Sequence, residues 1–190
     1  MPPEDQSFDA LVETMKKAAA ALRGAAVPFV LGGGLACWAR GGPETEHDVD
    51  FLVRRADATR AMQALAESGM RTEEPPEGWL YKAWDDGVMI DVIFDTRAGP
   101  IDDETFDRAE ELEVGALRVA VSSLEDVLVT KLLAIDEQYL DFDSVLEISR
   151  SLREQIDWAD VRGRTAGSPF AKAFFTLVEE IGIVPRDQSL

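Results

Sequence analysis

Apolar residues recur at helical spacing through Phe8, Leu11, Val12, Met15, Ala19 and Leu22, predicting an amphipathic helix over residues 8–23. Ser7 is placed to cap it, and Gly24 to end it. The period then changes. Residues 27–31 form a short apolar run, read as a buried strand that delivers the chain to Gly32-Gly33-Gly34. A short helix over 35–40 is closed by Gly41-Gly42-Pro43, and residues 47–53 read as a strand. Asp57 is placed to cap a helix running to about residue 68, where Gly69 stops it. Residues 70–72, 79–84 and 88–94 read as strands, the last two joined into a hairpin through Asp85-Asp86-Gly87.

Residues 106–112 predict a short helix and 116–121 a strand. Ser123-Leu124-Glu125-Asp126 has the form of a capping box, with Asp126 where Glu or Gln is usual. Beyond it the pattern is helical, over 127–138, 144–154, 158–164 and 169–181. Ser168-Pro169 marks the start of the last helix, and Gly182 its stop. The expected fold is therefore α/β (α+β): a core with a mixed β-sheet flanked by helices over residues 1–122, then a helical C-terminal region, 123–190, packed on it.

Composition narrows this only a little. With 190 residues, 46% of them hydrophobic and 29% charged, the chain has the material for one sizeable core. Its apolar runs are too short to span a bilayer. The opening acids Glu4, Asp5 and Asp9 occupy the place of an export leader, so a cytoplasmic location is expected. The single Cys37 excludes an intramolecular disulfide and reads as a small buried residue.

Charge changes the picture more. The net charge is −18, and residues 101–143 alone carry 13 acids against 3 bases. Such a chain repels nucleic acid unless it carries a local basic patch, whereas a polycationic molecule would suit its field. The bases hold their own only beyond residue 144, where Arg150, Arg153, Arg162, Arg164 and Lys172 offer a surface for RNA phosphates or ordinary helix-surface charge.

The candidate chemistry centres on Asp48-Val49-Asp50. Alternation along a strand puts both carboxylates on one face, about 7 Å apart at the Cα level, within reach of one hard cation. His47 then faces the other side. Asp91 is another isolated acid in an apolar strand, and three carboxylates from two strands make a site of the magnesium type. The glycine run before Asp48 can present backbone N–H groups to phosphate. Lys131 lies among Val129, Leu132 and Leu133, where a lysine either snorkels outward or reaches into a cleft. Arg40 could reach a triphosphate or sit in a surface ion pair. The four tryptophans read as core or interface residues.

Residues 30–53 resemble the signature of the polymerase-beta-like nucleotidyltransferase superfamily: strand, Gly33-Gly34, spacer, then Asp48 and Asp50, with Asp91 as the third acid. Residues 122–147 extend the resemblance toward its AbiEii-type (MNT-like) toxin branch. Lys131 matches that branch's helical lysine and Asp141 its following aspartate, with Asp143 as the alternative. Leu140 stands where the branch often has Arg, and Gly34 where many members have Ser. The resemblance implies a Mg²⁺-dependent enzyme using a nucleoside triphosphate. Asp48, Asp50 and Asp91 would hold metal, with Asp91 also able to take the acceptor's proton. Gly33, Gly34, Lys131 and Asp141 would bind nucleotide, with Arg40 added from its place after the glycines, and Lys131 would join Asp48, Asp50 and Asp91 as a catalytic residue by neutralising phosphate charge. It further implies an RNA acceptor, plausibly the 3′ end of tRNA, and a cognate antitoxin. An aminoglycoside-type antibiotic nucleotidyltransferase, or a non-catalytic nucleotide- or partner-binding module, fits the same residues.

Overall fold

The computed structural model describes residues 7–45 and 48–185. The predicted histidine His47 lies outside the described residues. In chain order the elements are α1 (Phe8–Gly24), β1 (Val30–Leu31), α2 (Gly33–Trp38), β2 (Asp48–Leu52), α3 (Arg55–Glu67), β3 (Arg71–Glu73), β4 (Leu80–Asp85) and β5 (Val88–Ile93). They continue with β6 (Asp95–Thr96), β7 (Gly99–Pro100), α4 (Asp103–Asp107), β8 (Glu110–Val114), β9 (Leu117–Val121), α5 (Leu124–Ala134), α6 (Asp143–Leu152), α7 (Trp158–Arg164) and α8 (Pro169–Glu180).

Seven strands form one mixed sheet in the order β3-β4-β5-β2-β1-β9-β8. The β2–β5 and β1–β9 pairs are parallel, and the other neighbours are antiparallel. The face that carries Val49, Phe51, Ile90, Val92 and Ala83 is fully buried, and α1 and α3 pack across these strands. The alternation Asp-Val-Asp-Phe therefore works as expected: apolar side chains enter the core and the acids point to the other face. One apolar cluster continues from Leu11 through the sheet to Leu128, Phe174 and Val184, so the C-terminal helices share the core.

The β4–β5 hairpin turns at Asp86-Gly87, both with positive φ, the backbone that a two-residue turn of matching twist requires. Ser7, Ser123 and Ser168 each cap a helix by accepting an N–H in its first turn, as the sequence predicts.

Some expectations fail, for identifiable reasons. Residues 106–112 are not a helix: α4 ends at Asp107, and β8 begins at Glu110, paired with β9. Three glutamates in five residues gave β8 a helical look, and its pairing to an amphipathic neighbour overrode that propensity. Asp57 is not a cap, since α3 begins at Arg55, and Asp57 pairs with Arg60 within the helix. The helix α5 starts three residues earlier than expected and stops at Ala134, because residue 135 is already extended. The strand expected over 27–31 is only Val30–Leu31, and the small β6–β7 hairpin was not foreseen.

Candidate active site

The carboxylates meet because of strand register. In the parallel β2–β5 pair Asp50 lies directly opposite Asp91, with Asp48 two residues along the same face. One carboxylate oxygen from each of the three lies within 4.8 Å of the others. They line a cleft of about 620 Å³ between the sheet and α5. From α5 the cleft receives Val127, Thr130, Lys131 and Ala134, spaced as one helical face. Trp79 and the segment that runs from β6 into α4 add to the lining.

Crowding of like charge is the chief electrostatic fact of the site. Asp50 is pushed up to about 8, first by burial and then by the charges of Asp48 and Asp91, with Lys131 and Lys82 pulling it back. A carboxylate so disfavoured by its neighbours gains most from a cation placed among them. The oxygen-only donor set suits a hard divalent ion of the magnesium class. The residues present fit such an ion.

Gly33 is held by two constraints at once. Its φ is +53°, and a Cβ there would lie 1.7 Å from Asp50 Oδ2. Gly34 is constrained differently: a Cβ would come within 2.5 Å of Thr45 Oγ1. Thr45 therefore fills the space that a serine at position 34 would take. Gly34→Ser is expected to destabilise the fold by about 1–3 kcal/mol through overpacking. Adding Thr45→Gly should recover most of this, which urea unfolding of the single and double variants would measure as a coupling energy. Additive losses would refute the contact.

Lys131 lines the cleft, half-buried, and has no hydrogen-bond or ion-pair partner among the described residues. Arg40 does not line it. Its guanidinium donates to the Ser122 carbonyl at 3.1 and 3.3 Å and pairs with Glu110 at 2.6 Å, tying the end of α2 to β9 and β8. Asp141 is also elsewhere. Its carboxylate accepts from the Asp143 amide and the Ser144 hydroxyl, at 3.1 and 3.3 Å, an Asx turn that leads into α6. Cys37 is buried, and burial pushes its thiol up to about 11, the inert state expected of it.

Three cleft features were missed. Lys82 donates to Asp91 Oδ1 at 2.8 Å, directly across the β4–β5 ladder. Counting outward from the Asp86-Gly87 turn pairs 85 with 88 and hence 82 with 91, so the hairpin already contained this contact. Asp126 does not complete a capping box. It binds Arg108 Nε at 3.1 and 3.0 Å and Arg164 at 2.5 Å, at the rim of the cleft. Trp79 is 42% exposed and faces the cleft, whereas Trp38 and Trp158 pack on Phe8 and Phe175.

Strand, glycine turn, short helix and paired acids, with a third acid on the neighbouring strand, thus meet on one wall of the cleft. Residues 9–179 match the family model described as "Uncharacterised nucleotidyltransferase". The chain belongs to this family. Among curated proteins no sequence matches. Solved structures with the same fold include the antibiotic-resistance factor ANT(2'')-Ia, at 16% identity and a TM-score of 0.65, covering 93% of this chain and 99% of that one. The lincosamide antibiotic adenylyltransferase LnuA aligns at 13% identity and a TM-score of 0.53, over 76% and 97% of the two chains. JHP933 from Helicobacter pylori aligns at 15% identity and a TM-score of 0.56, over 96% and 82%. At these identities the likeness concerns the fold. Among the described residues of this nucleotidyltransferase, no helix is long and apolar enough to cross a membrane.

Proposed function

We propose that this nucleotidyltransferase moves a nucleoside monophosphate from a nucleoside triphosphate to an acceptor hydroxyl, with Mg²⁺ as cofactor. The observation that carries this reading is the carboxylate trio, its oxygens within 4.8 Å of one another on the wall of a cleft large enough for substrate. Asp48 and Asp50 hold the metal. When bound, the ion supplies Lewis-acid polarisation of phosphoryl oxygens. Asp91 accepts the proton of the attacking hydroxyl, and Lys131 neutralises phosphate charge from the α5 side. The backbone N–H groups at Gly33 and Gly34 are offered to the phosphates. The acceptor oxygen attacks the α-phosphorus, the bond to the bridging oxygen breaks, and pyrophosphate leaves.

For the acceptor, the charge of the cleft favours a small polycationic molecule of the aminoglycoside kind. Asp102, Glu104 and Trp79 line the cleft, with Asp48, Asp50, Asp91 and Asp126. Two of the bases that might have tracked an RNA are already engaged: Arg162 with Glu179, and Arg164 with Asp126 and Asp160. A phosphate chain would have to break these pairs. The second reading, a toxin that modifies the 3′ end of tRNA and is restrained by an antitoxin, rests on the resemblance around Lys131. Incubation with each labelled triphosphate, Mg²⁺, and either an aminoglycoside panel or total tRNA separates the two. Label on an aminoglycoside, lost in Asp48→Ala, supports the first. Label confined to tRNA sinks it.

Lys131→Ala is expected to lower kcat/KM about 10- to 100-fold, the value of a charge-assisted contact to phosphate. With Mg²⁺ present to offset the carboxylates, its melting temperature should stay within about 2 °C of the parent, because the Lys131 side chain makes no ion pair among the described residues. A large fall in melting temperature would instead mark it as structural.

A further inference from the structure

One row of the sheet carries a cation, two acids and a glycine. Lys82 on β4 stands opposite Asp91 on β5, and Asp91 opposite Asp50 on β2. The Gly32 amide then donates to the Asp50 carbonyl at 2.9 Å. Lys82 Nζ lies 2.8 Å from Asp91 Oδ1 and 3.4 Å from Met89 Sδ. The Lys82 and Asp91 side chains are only 25% and 11% exposed, so solvent screens their pairing weakly.

Enzymes that transfer phosphoryl groups with two metals place the ions a few ångströms apart. Here one oxygen of Asp91, the carboxylate that a second ion would recruit beyond Asp48 and Asp50, is already taken by the Lys82 ammonium. A second divalent ion bound through Asp91 would sit within a few ångströms of that ammonium, in a partly buried setting where repulsion between a doubly and a singly charged cation far exceeds thermal energy. We propose that Lys82 takes the place of a second metal ion, so that the trio loads one divalent cation, held by Asp48 and Asp50, while Lys82 fixes Asp91. The proposal rests on the metal-dependent reading above and adds the number of ions and the residue that sets it. Lys82 acts through Asp91 and is a positioning residue. Among the described residues, three carboxylates meet two lysines, Lys82 and Lys131, before any metal arrives.

Equilibrium dialysis of the whole chain against Mn²⁺ tests this, with excess α,β-methylene analogues of all four ribonucleoside triphosphates and free Mn²⁺ counted by electron paramagnetic resonance. The expected result is one bound ion per chain in the parent and in Lys82→Arg, and two in Lys82→Met, with unchanged circular dichroism. Two ions in the parent, or one in a folded Lys82→Met, overturns the proposal and leaves metal-dependent transfer standing. No bound ion in the parent overturns both. Should Lys82→Met not fold, Lys82→Gln serves in its place, and the parent's own count still decides.

Discussion

Asp50→Asn is expected to abolish nucleotidyl transfer while making the metal-free protein more stable. The two effects have one origin. Asp50 is forced between Asp48 and Asp91, and burial together with their charge raises it from 3.8 to about 8. In the unfolded chain the same carboxyl is ionised at neutral pH, so between 3.8 and about 8 the native state binds the extra proton. Stability contributed by this group is fully present below the lower value and is lost as pH rises through the upper one. Asparagine carries no charge at any pH and removes that slope. In EDTA at pH 8 the variant should melt about 2–4 °C higher for each ~1 kcal/mol regained, the scale for a chain of this length. At pH 4 the two proteins should melt alike. Activity should fall about a thousandfold or more, since on the proposed function Asp50 holds the metal, and its loss forfeits several kcal/mol of transition-state stabilisation. Thermal scans in EDTA at both pH values, with initial rates in Mg²⁺, provide the check. A variant less stable than the parent at pH 8 would contradict the crowding argument.

Gly33→Ala is the other large effect. A methyl group there would overlap Asp50 Oδ2 at 1.7 Å, and φ of +53° is unfavourable for any side chain. The left-handed backbone alone costs about 1–2 kcal/mol. The overlap leaves the carboxylate no choice but to move, and displacement of a reacting group by about 1 Å can cost a hundredfold in rate. The variant should therefore lose at least that factor in kcat, lose metal affinity, and melt several degrees lower. Gly32→Ala is the useful contrast. Its Cβ would meet only the Leu52 side chain, at 3.3 Å, with Asp50 Cβ at 3.5 Å, so a small loss is expected. Equal losses in the two variants would undermine the assignment of Gly33 as the close-approach position.

What the chain disclosed in advance follows from the kind of signal each residue gives. Asp48, Asp50 and Asp91 were legible because an acid inside an apolar strand has few explanations, and alternation fixes its face. Lys131 was legible on the helix for the same reason, and it does line the cleft. Arg40 and Asp141 were not, because a long or short polar side chain at the end of an element can serve a neighbour as readily as a ligand. Arg40 ties adjoining elements together, and Asp141 forms a turn before α6. Lys82 escaped notice because its meaning depends on pairing across a hairpin rather than on its neighbours in sequence. β8 was misread because exposed glutamates favour a helix locally, and only the partner strand decides otherwise.

The row that joins Lys82, Asp91, Asp50 and Gly32 crosses four strands, two pairs of them antiparallel and one parallel. A slip of one residue in β2 or β5 would turn its acids toward α1 and α3, into the apolar side of the sheet. The cleft carboxylates thus also proofread strand register during folding: a misaligned chain must bury charge without a partner, and only the aligned one keeps it in the cleft.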